Sequence, residues 1–272
     1  MKLSILTATY NREECLKNLY KSIIENIASC NLDIEWIVID DGSTDNTKSE
    51  IEKYIREDKI VVKYIYQNHL GKMAGINNGV NLVTGNLVVD CDSDDYFAKD
   101  AFKIIIENAD LILNNEGYYA MCFLKSDMNG KVSGNKFKKN KLETTMFDLY
   151  FRCDIKGEKI LVFNSKIRKM FKHEIEKDEN FITEARMYHK MDKNYKILCI
   201  NKVIEIGEYR KDGYTKNIKK TFYENPRGYY MYFKEIIKEH KLTCIATKKK
   251  LYIFKSFAYF FILNLIKKYN KK

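Results

Sequence analysis

The chain is poor in the residues and motifs that mark several large enzyme classes. Its seven cysteines are odd in number and form no C-x-x-C pair. With no secretory leader at Met1-Lys2-Leu3, that predicts free thiols in a reducing cytoplasm. The four histidines, His69, His173, His189 and His240, show no H-x-x-x-H spacing, which argues against a zinc site and leaves them as surface or loop residues, with His69 placed to contact a substrate. No G-x-G-x-x-G follows the first apolar run, disfavouring a dinucleotide oxidoreductase. Neither G-x-x-x-x-G-K-[ST] nor G-x-S-x-G occurs, so phosphate-loop and nucleophile-elbow chemistry lack their motifs. No uninterrupted apolar stretch reaches the ~20 residues of a membrane span.

What is present is ordinary globular material: 272 residues, 45% hydrophobic and 31% charged. The formal net charge of +11 is unevenly placed. Residues 210–272 hold 17 Lys+Arg against 4 Asp+Glu, whereas residues 1–209 hold 31 against 33. A basic block confined to the last sixty residues points to a polyanionic surface, an anionic membrane or a nucleic acid.

Apolar periodicity predicts alternating strands and helices. Residues 3–7 read as a first strand, and Asn11 as the cap of a helix with Leu16, Leu19, Tyr20, Ile23, Ile24 and Ile27 on one stripe. Residues 35–40 read as a second strand, with Ser43 or Thr44 capping a helix that carries Ile51, Tyr54 and Ile55. Strands at 61–65 and 87–89 follow, with helices marked by Met73, Ile76, Val80 and Val83 and by Ala101, Phe102, Ile105 and Ile106. This alternation predicts a mostly parallel, doubly wound α/β sheet.

Beyond residue 110, short strands are expected at 111–114, 120–124, 159–163, 195–200 and 203–209, with a turn at 127–130. A loose Lys- and Asn-rich loop is expected over 131–144, a helix over 183–192, and helices only from 221. The aromatic run 251–266, flanked by lysines, fits either an interfacial helix or one packed on the main domain.

Two strands end in acidic clusters. Asp40-Asp41-Gly42-Ser43-Thr44-Asp45 closes one, and Asp90-Cys91-Asp92-Ser93-Asp94-Asp95 closes another. In an open α/β sheet that edge is where ligands bind. Carboxylates two apart, such as Asp92 and Asp94, suit a hard divalent cation that also grips phosphate oxygens. Either cluster alone could merely cap a helix; together they favour a ligand site.

The opening Thr7-Ala8-Thr9-Tyr10-Asn11-Arg12, the Asp40–Asp45 turn and Asp92-Ser93-Asp94-Asp95, in that order, resemble the family-2 glycosyltransferases, inverting enzymes of the GT-A fold. The match runs well over 3–97 and more thinly through Glu184 and Tyr209-Arg210. The resemblance implies a Rossmann-like GT-A sheet with a C-terminal helical extension. It divides the chain into a nucleotide-sugar half (1–110), an acceptor half (111–215) and a basic helical extension (216–272). It further implies a UDP-sugar donor, Mg²⁺ or Mn²⁺, and a saccharide or lipid-linked saccharide acceptor in bacterial surface-glycan synthesis. The expected location is cytoplasmic or peripheral at an anionic inner membrane face, with no nucleic-acid partner.

By the same resemblance, Thr7, Ala8, Tyr10, Asn11 and Asp41 would lie against the nucleotide, with Asp41 accepting a ring N–H and Tyr10 packing on the base. Asp92 and Ser93 would approach the ribose, Asp94 with Asp92 would hold the metal, and Lys72 would face the phosphates. Tyr209, Arg210 and Thr215 would close over the diphosphate. Inversion needs one base on the acceptor hydroxyl. Glu184 is the candidate, in a segment lacking the family's usual Glu-Asp pair, with Glu179 and Asp178 as alternatives and helix capping as the rival role. Asp90 reads as structural, Asp95 as an orienting group or helix cap, and Lys72 equally as a solvated helix-start lysine.

Three other functions compete. A nucleotidyltransferase would need a Gly-rich basic loop after the first strand, which residues 7–11 do not form. A nucleic-acid binder would leave both acidic clusters unexplained. A catalytically degenerate relative would keep the donor site and lose the base.

Overall fold

The structure is a computed structural model describing residues 1–30, 32–176, 179, 181, 183–207, 218–240, 245 and 247–269. Tyr209, Arg210, Thr215 and Asp178 lie outside the described residues.

The first half alternates as expected: β1 (Lys2–Thr9), α1 (Glu13–Ile27), β2 (Asp33–Asp40), α2 (Thr47–Glu57), β3 (Val61–Tyr66), α3 (Lys72–Gly79) and β4 (Leu87–Asp90). A short β5 (Asp95–Phe97) and α4 (Ala101–Leu113) follow. The second half contains β6 (Tyr118–Ser126), β7 (Leu142–Thr144), β8 (Lys159–Asn164), α5 (Ser165–Arg168), α6 (Ala185–Met191) and β9 (Lys196–Gly207). Three helices close the chain: α7 (Ile218–Glu224), α8 (Pro226–Glu239) and α9 (Thr247–Tyr269).

The strands form one sheet in the order β3-β2-β1-β4-β8-β6-β9-β5, with β7 also paired to β9. The β3-β2-β1-β4 half is parallel. β8 then runs antiparallel to both β4 and β6, while β6 and β9 are parallel. The chain leaves β1 toward β2 and β3, then returns to place β4 on the other side of β1. This reversal makes the C-terminal ends of β1 and β4 the switch-point crevice.

Continuous apolar runs in β1 and β2 are explained by helices on both faces. Along β2, Ile34, Trp36 and Val38 join the core under α1, α2 and α4, while Ile37 and Ile39 join the opposite core under α3 and α6. A third, mostly aromatic cluster holds α7, α8 and α9 on Phe147 and Phe151.

Several expectations need correction. Residues 111–113 continue α4 and Asn114 is its C-cap, rather than forming a strand, because Ile112 completes the buried stripe of Ala101, Phe102, Ile105 and Ala109. The two strands expected at 195–200 and 203–209 are one strand, β9, whose register against β6 shifts between Cys122 and Leu124. Residues 131–144 are not loose: Val132 bridges to Ser126, Phe137 is buried, and Leu142–Thr144 pair with β9. The short β5 has no counterpart in the sequence pattern, since three residues carry no periodicity.

The capping expectations fail for a shared reason. Asn11 caps nothing; it adopts φ +51° and its side-chain oxygen accepts the Thr44 N–H at 2.7 Å, while its own N–H donates to Ser43 Oγ at 2.9 Å. Ser43 and Thr44 therefore serve the β1–α1 turn, and Asn46 stands at the α2 N-cap position.

Candidate active site

The crevice is built by two turns tied together. Asp40 ends β2 with one carboxylate oxygen accepting the Ser43 N–H (2.8 Å) and the other the Tyr64 hydroxyl (2.7 Å). Gly42, at φ +90°, lets the chain reverse there. Asp41 is buried, and its carboxylate accepts from Gln67 Nε2 (2.6 Å), Leu70 N (2.7 Å) and Gly71 N (2.9 Å). A carboxylate has about four acceptor sites, so three protein donors leave one for a ligand. Gly71 then starts α3, whose first residue is Lys72.

The β1 end is mixed in character. Thr7 is buried and accepts from Trp36 Nε1 at 3.0 Å, and Ala8 packs on the second core. Tyr10 is exposed at the crevice mouth, with its ring centroid 4.3 Å from that of His69. His69 Nδ1 lies 3.0 Å from the Asp41 carbonyl oxygen.

The acidic turn after β4 meets residues distant in sequence. Lys72 Nζ lies 2.6 Å from Asp92 Oδ1 and 2.8 Å from Glu184 Oε1. Glu184 stands at the N-cap position of α6, yet its side chain does not cap the helix. It accepts instead from Lys72 and, at 2.9 Å, from the Tyr188 hydroxyl one turn on. Burial disfavours its charge, but the Lys72 ammonium outweighs that and holds the carboxyl at about 2. Lys72 in turn is held well above its ordinary value by Asp92 and Glu184, against the cost of burial. It is no solvated helix-start lysine. Glu179 lies elsewhere, accepting the Arg227 and Gly228 N–H groups at the start of α8.

Carboxylate oxygens of Asp92, Asp94 and Asp95 come within 4.8 Å of one another. Ser93, between them, is buried. Asp95 points inward to Lys125 Nζ at 2.5 Å, and that ammonium also meets Glu158 (2.9 Å) and Glu205 (3.7 Å). Asp92 is shared with Lys72, while Asp94 has no hydrogen-bond or ion-pair partner among the described residues. This all-oxygen donor set fits a hard divalent cation, with Asp94 and Asp92 as the groups able to present themselves to it. An open cavity of about 740 Å³ beside Asp94 is lined by Tyr96, Phe97, Lys99 and the outer face of α1.

Behind this layer, Asp90 accepts from the fully buried Arg168 at 3.4 Å, and Arg168 also lies 3.4 Å from His173 Nε2. Sequence reading missed Lys125, Glu205, Arg168 and Tyr188. The available signal was a charged residue inside an apolar strand: Lys125 after Met121-Cys122-Phe123-Leu124, and Glu205 between Ile204 and Ile206.

The family described as Glycosyl transferase family 2 matches residues 4–179, which take in β1 to β8 and the donor side of this crevice but not Glu184. The chain belongs to that family. As a glycosyltransferase it has relatives in bacterial glycan synthesis. It is 28% identical over 263 residues to the GalNAc(5)-diNAcBac-PP-undecaprenol beta-1,3-glucosyltransferase of Campylobacter jejuni, covering 91% of this chain and 81% of that one. It is 36% identical over 124 residues to glycosyltransferase GlyA of Streptococcus pneumoniae, covering 44% of this chain and 17% of that one.

Among solved structures, TarS 1-349 of S. aureus in complex with UDP-GlcNAc superposes with a TM-score of 0.63 at 23% identity, over 87% of this chain and 67% of that one. The mannosyltransferase PcManGT of Pyrobaculum calidifontis, in complex with GDP-Man and Mn2+, gives 0.58 at 17% identity, over 95% and 69%. These likenesses establish the GT-A-type fold with its C-terminal helices. No helix among the described residues is long and apolar enough to cross a membrane.

Proposed function

We propose that this glycosyltransferase moves a sugar from a UDP-linked donor to a hydroxyl of a saccharide or lipid-linked saccharide, with inversion and with a divalent cation. The observation that carries the reading is the Lys72 bridge: one ammonium joins the acidic turn after β4 to the carboxylate at the start of α6. A donor-side group and a candidate base thereby share one crevice at the switch point. The relatives support it: UDP-GlcNAc is bound in the S. aureus structure and Mn2+ in the Pyrobaculum one, and the Campylobacter relative is named for an undecaprenol-linked oligosaccharide.

In this reading residues 1–110 supply the donor side and 111–215 the acceptor side, with 216–272 appended. Tyr10 covers the base, and the remaining acceptor site of Asp41 takes a ring N–H. Asp94 with Asp92 holds the cation, which supplies Lewis-acid neutralisation of the leaving diphosphate. Glu184 removes the acceptor proton. While Lys72 sits on it, Glu184 is a weak base, because an efficient base has a pKa near the working pH. Diphosphate oxygens compete for the Lys72 ammonium and release Glu184, so the base strengthens only when donor is present.

The test is a panel of nucleotide sugars assayed for metal-dependent hydrolysis and for thermal shift. UDP-sugars should stabilise and be hydrolysed. Asp94→Asn should cut both metal-dependent UDP binding and turnover about a hundredfold or more, the scale of the several kcal/mol a Lewis acid supplies. Full activity of that variant with ordinary metal dependence would sink the assignment.

A further inference from the structure

The helix α9 has two apolar faces, and one of them faces solvent. Ile253 and Ser256 are buried, Phe260 stacks on Tyr230 at 4.1 Å between centroids, and Phe257 meets the same ring edge-on at 5.2 Å. This side seats α9 on α8. The opposite side carries Leu251, Phe254 and Ile262, which are 58%, 58% and 52% exposed, and at its edge Phe261, 56% exposed, meets Tyr230 edge-on at 5.9 Å. Lys255 and Ala258 are exposed with them. Positions 251, 254, 255, 258, 261 and 262 recur at three and four, so they share one helical face. A core helix has one apolar stripe and a polar back. This one has an apolar back.

Its charge is equally one-sided. Residues 240–272 contain nine lysines and no aspartate or glutamate. Lys248, Lys249 and Lys250 open α9, and Lys267 and Lys268 lie near its end. Large exposed apolar groups among cations alone match an anionic lipid surface, where rings enter the acyl boundary and ammonium groups meet phosphate. We infer that the outer face of α9 docks this protein on an anionic bilayer.

The docking face is mechanically tied to the crevice. Glu235 of α8 receives Arg186 of α6 bidentately (3.0 and 2.8 Å), and Asn225 accepts the Phe181 N–H at 3.0 Å. Arg186 is two residues from Glu184. A bilayer bound at α9 therefore holds α6, and with it Glu184, at a set place relative to the surface. The benefit for a lipid-linked acceptor rests on the function proposed above; the docking itself does not.

The experiment is co-sedimentation with vesicles of phosphatidylcholine mixed with phosphatidylglycerol, against phosphatidylcholine alone, with sedimentation velocity and UDP-sugar hydrolysis measured in parallel. The wild-type chain should pellet with the mixed vesicles and be released by salt. Phe254→Ser with Ile262→Ser should weaken that binding about tenfold or more. Lys248→Gln with Lys249→Gln should weaken it about fivefold per lysine. Hydrolysis of free donor should be unchanged in both, which shows them folded and keeps this inference separable from the enzymatic one. Equal pelleting of all three proteins overturns it. So does a wild-type dimer that the serine pair splits without any vesicle binding, since the face would then belong to a second copy of the chain.

Discussion

Lys72 shows what a single residue can decide. Its place in the sequence, one lysine after Leu70-Gly71, is shared by countless solvated helix starts. In the fold it joins Asp92 and Glu184, and its neighbours set its charge and theirs. Lys72→Met should raise donor KM at least tenfold, because a charge-assisted contact is worth about 1.5–3 kcal/mol. The same change frees Glu184 from the ammonium that holds it at about 2. The acid limb of the kcat/KM profile for donor, which reports the free enzyme, should therefore move to higher pH, and Lys72→Arg should largely restore the original limb. An unmoved limb in Lys72→Met would show that Glu184 is not the titrating base. The Asp41 turn was legible in the sequence as an acidic strand end. That three of its acceptor sites already hold residues 67–71 was not, because those donors come from a loop more than twenty residues on.

At the level of elements, β6 and β9 support the acidic turn from behind. Lys125 on β6 is the cation among Asp95, Glu158 and Glu205. Burial raises Asp95 to about 6 even against Lys125, and burial with Asp95 nearby pushes Glu205 well above the carboxylate range. Removing the lysine leaves buried carboxylates uncompensated. Lys125→Met should cost about 3–5 kcal/mol, read as a lower urea midpoint at unchanged slope. A Cβ at Gly207 would stand 2.1 Å from Asp95 Oδ1 and 2.3 Å from Lys125 Cε, so any side chain there would have to displace the Asp95–Lys125 pair. Strand and helix positions in 1–110 followed from apolar periodicity. The β6–β9 shift and the single long β9 did not, because register depends on the partner strand and leaves no local pattern.

The whole molecule is held by its aromatic third cluster as well as by the sheet. His189 lies among Phe147, Phe151 and Tyr232 with its Nδ1 buried and unpartnered among the described residues. Burial, reinforced by His240, drives its pKa down to about 3. Between about 3 and the unfolded value near 6.5, the unfolded chain binds a proton that the native one refuses, so stability falls as pH falls. This one group should remove about 2 kcal/mol between about pH 7 and pH 5. His189→Gln should lose correspondingly less over that interval than the wild-type chain, whatever other groups contribute to both. Parallel losses in urea melts of the two proteins would place His189 outside the buried cluster.

Sequence alone makes the family, the α/β alternation of the first half and both acidic strand ends legible, because each is a local pattern of apolar spacing, turn residues and carboxylates. It also determined the basic tail, but left open whether the last helix packs on the domain or faces a membrane. The packed fold supplies what the local pattern could not carry: Lys72 meeting Glu184 from 112 positions away, Lys125 behind Asp95, and an α9 that is apolar on two sides. Long-range charge pairs depend on chain crossings rather than on neighbours. Which face of an aromatic helix is covered depends on the helix beside it.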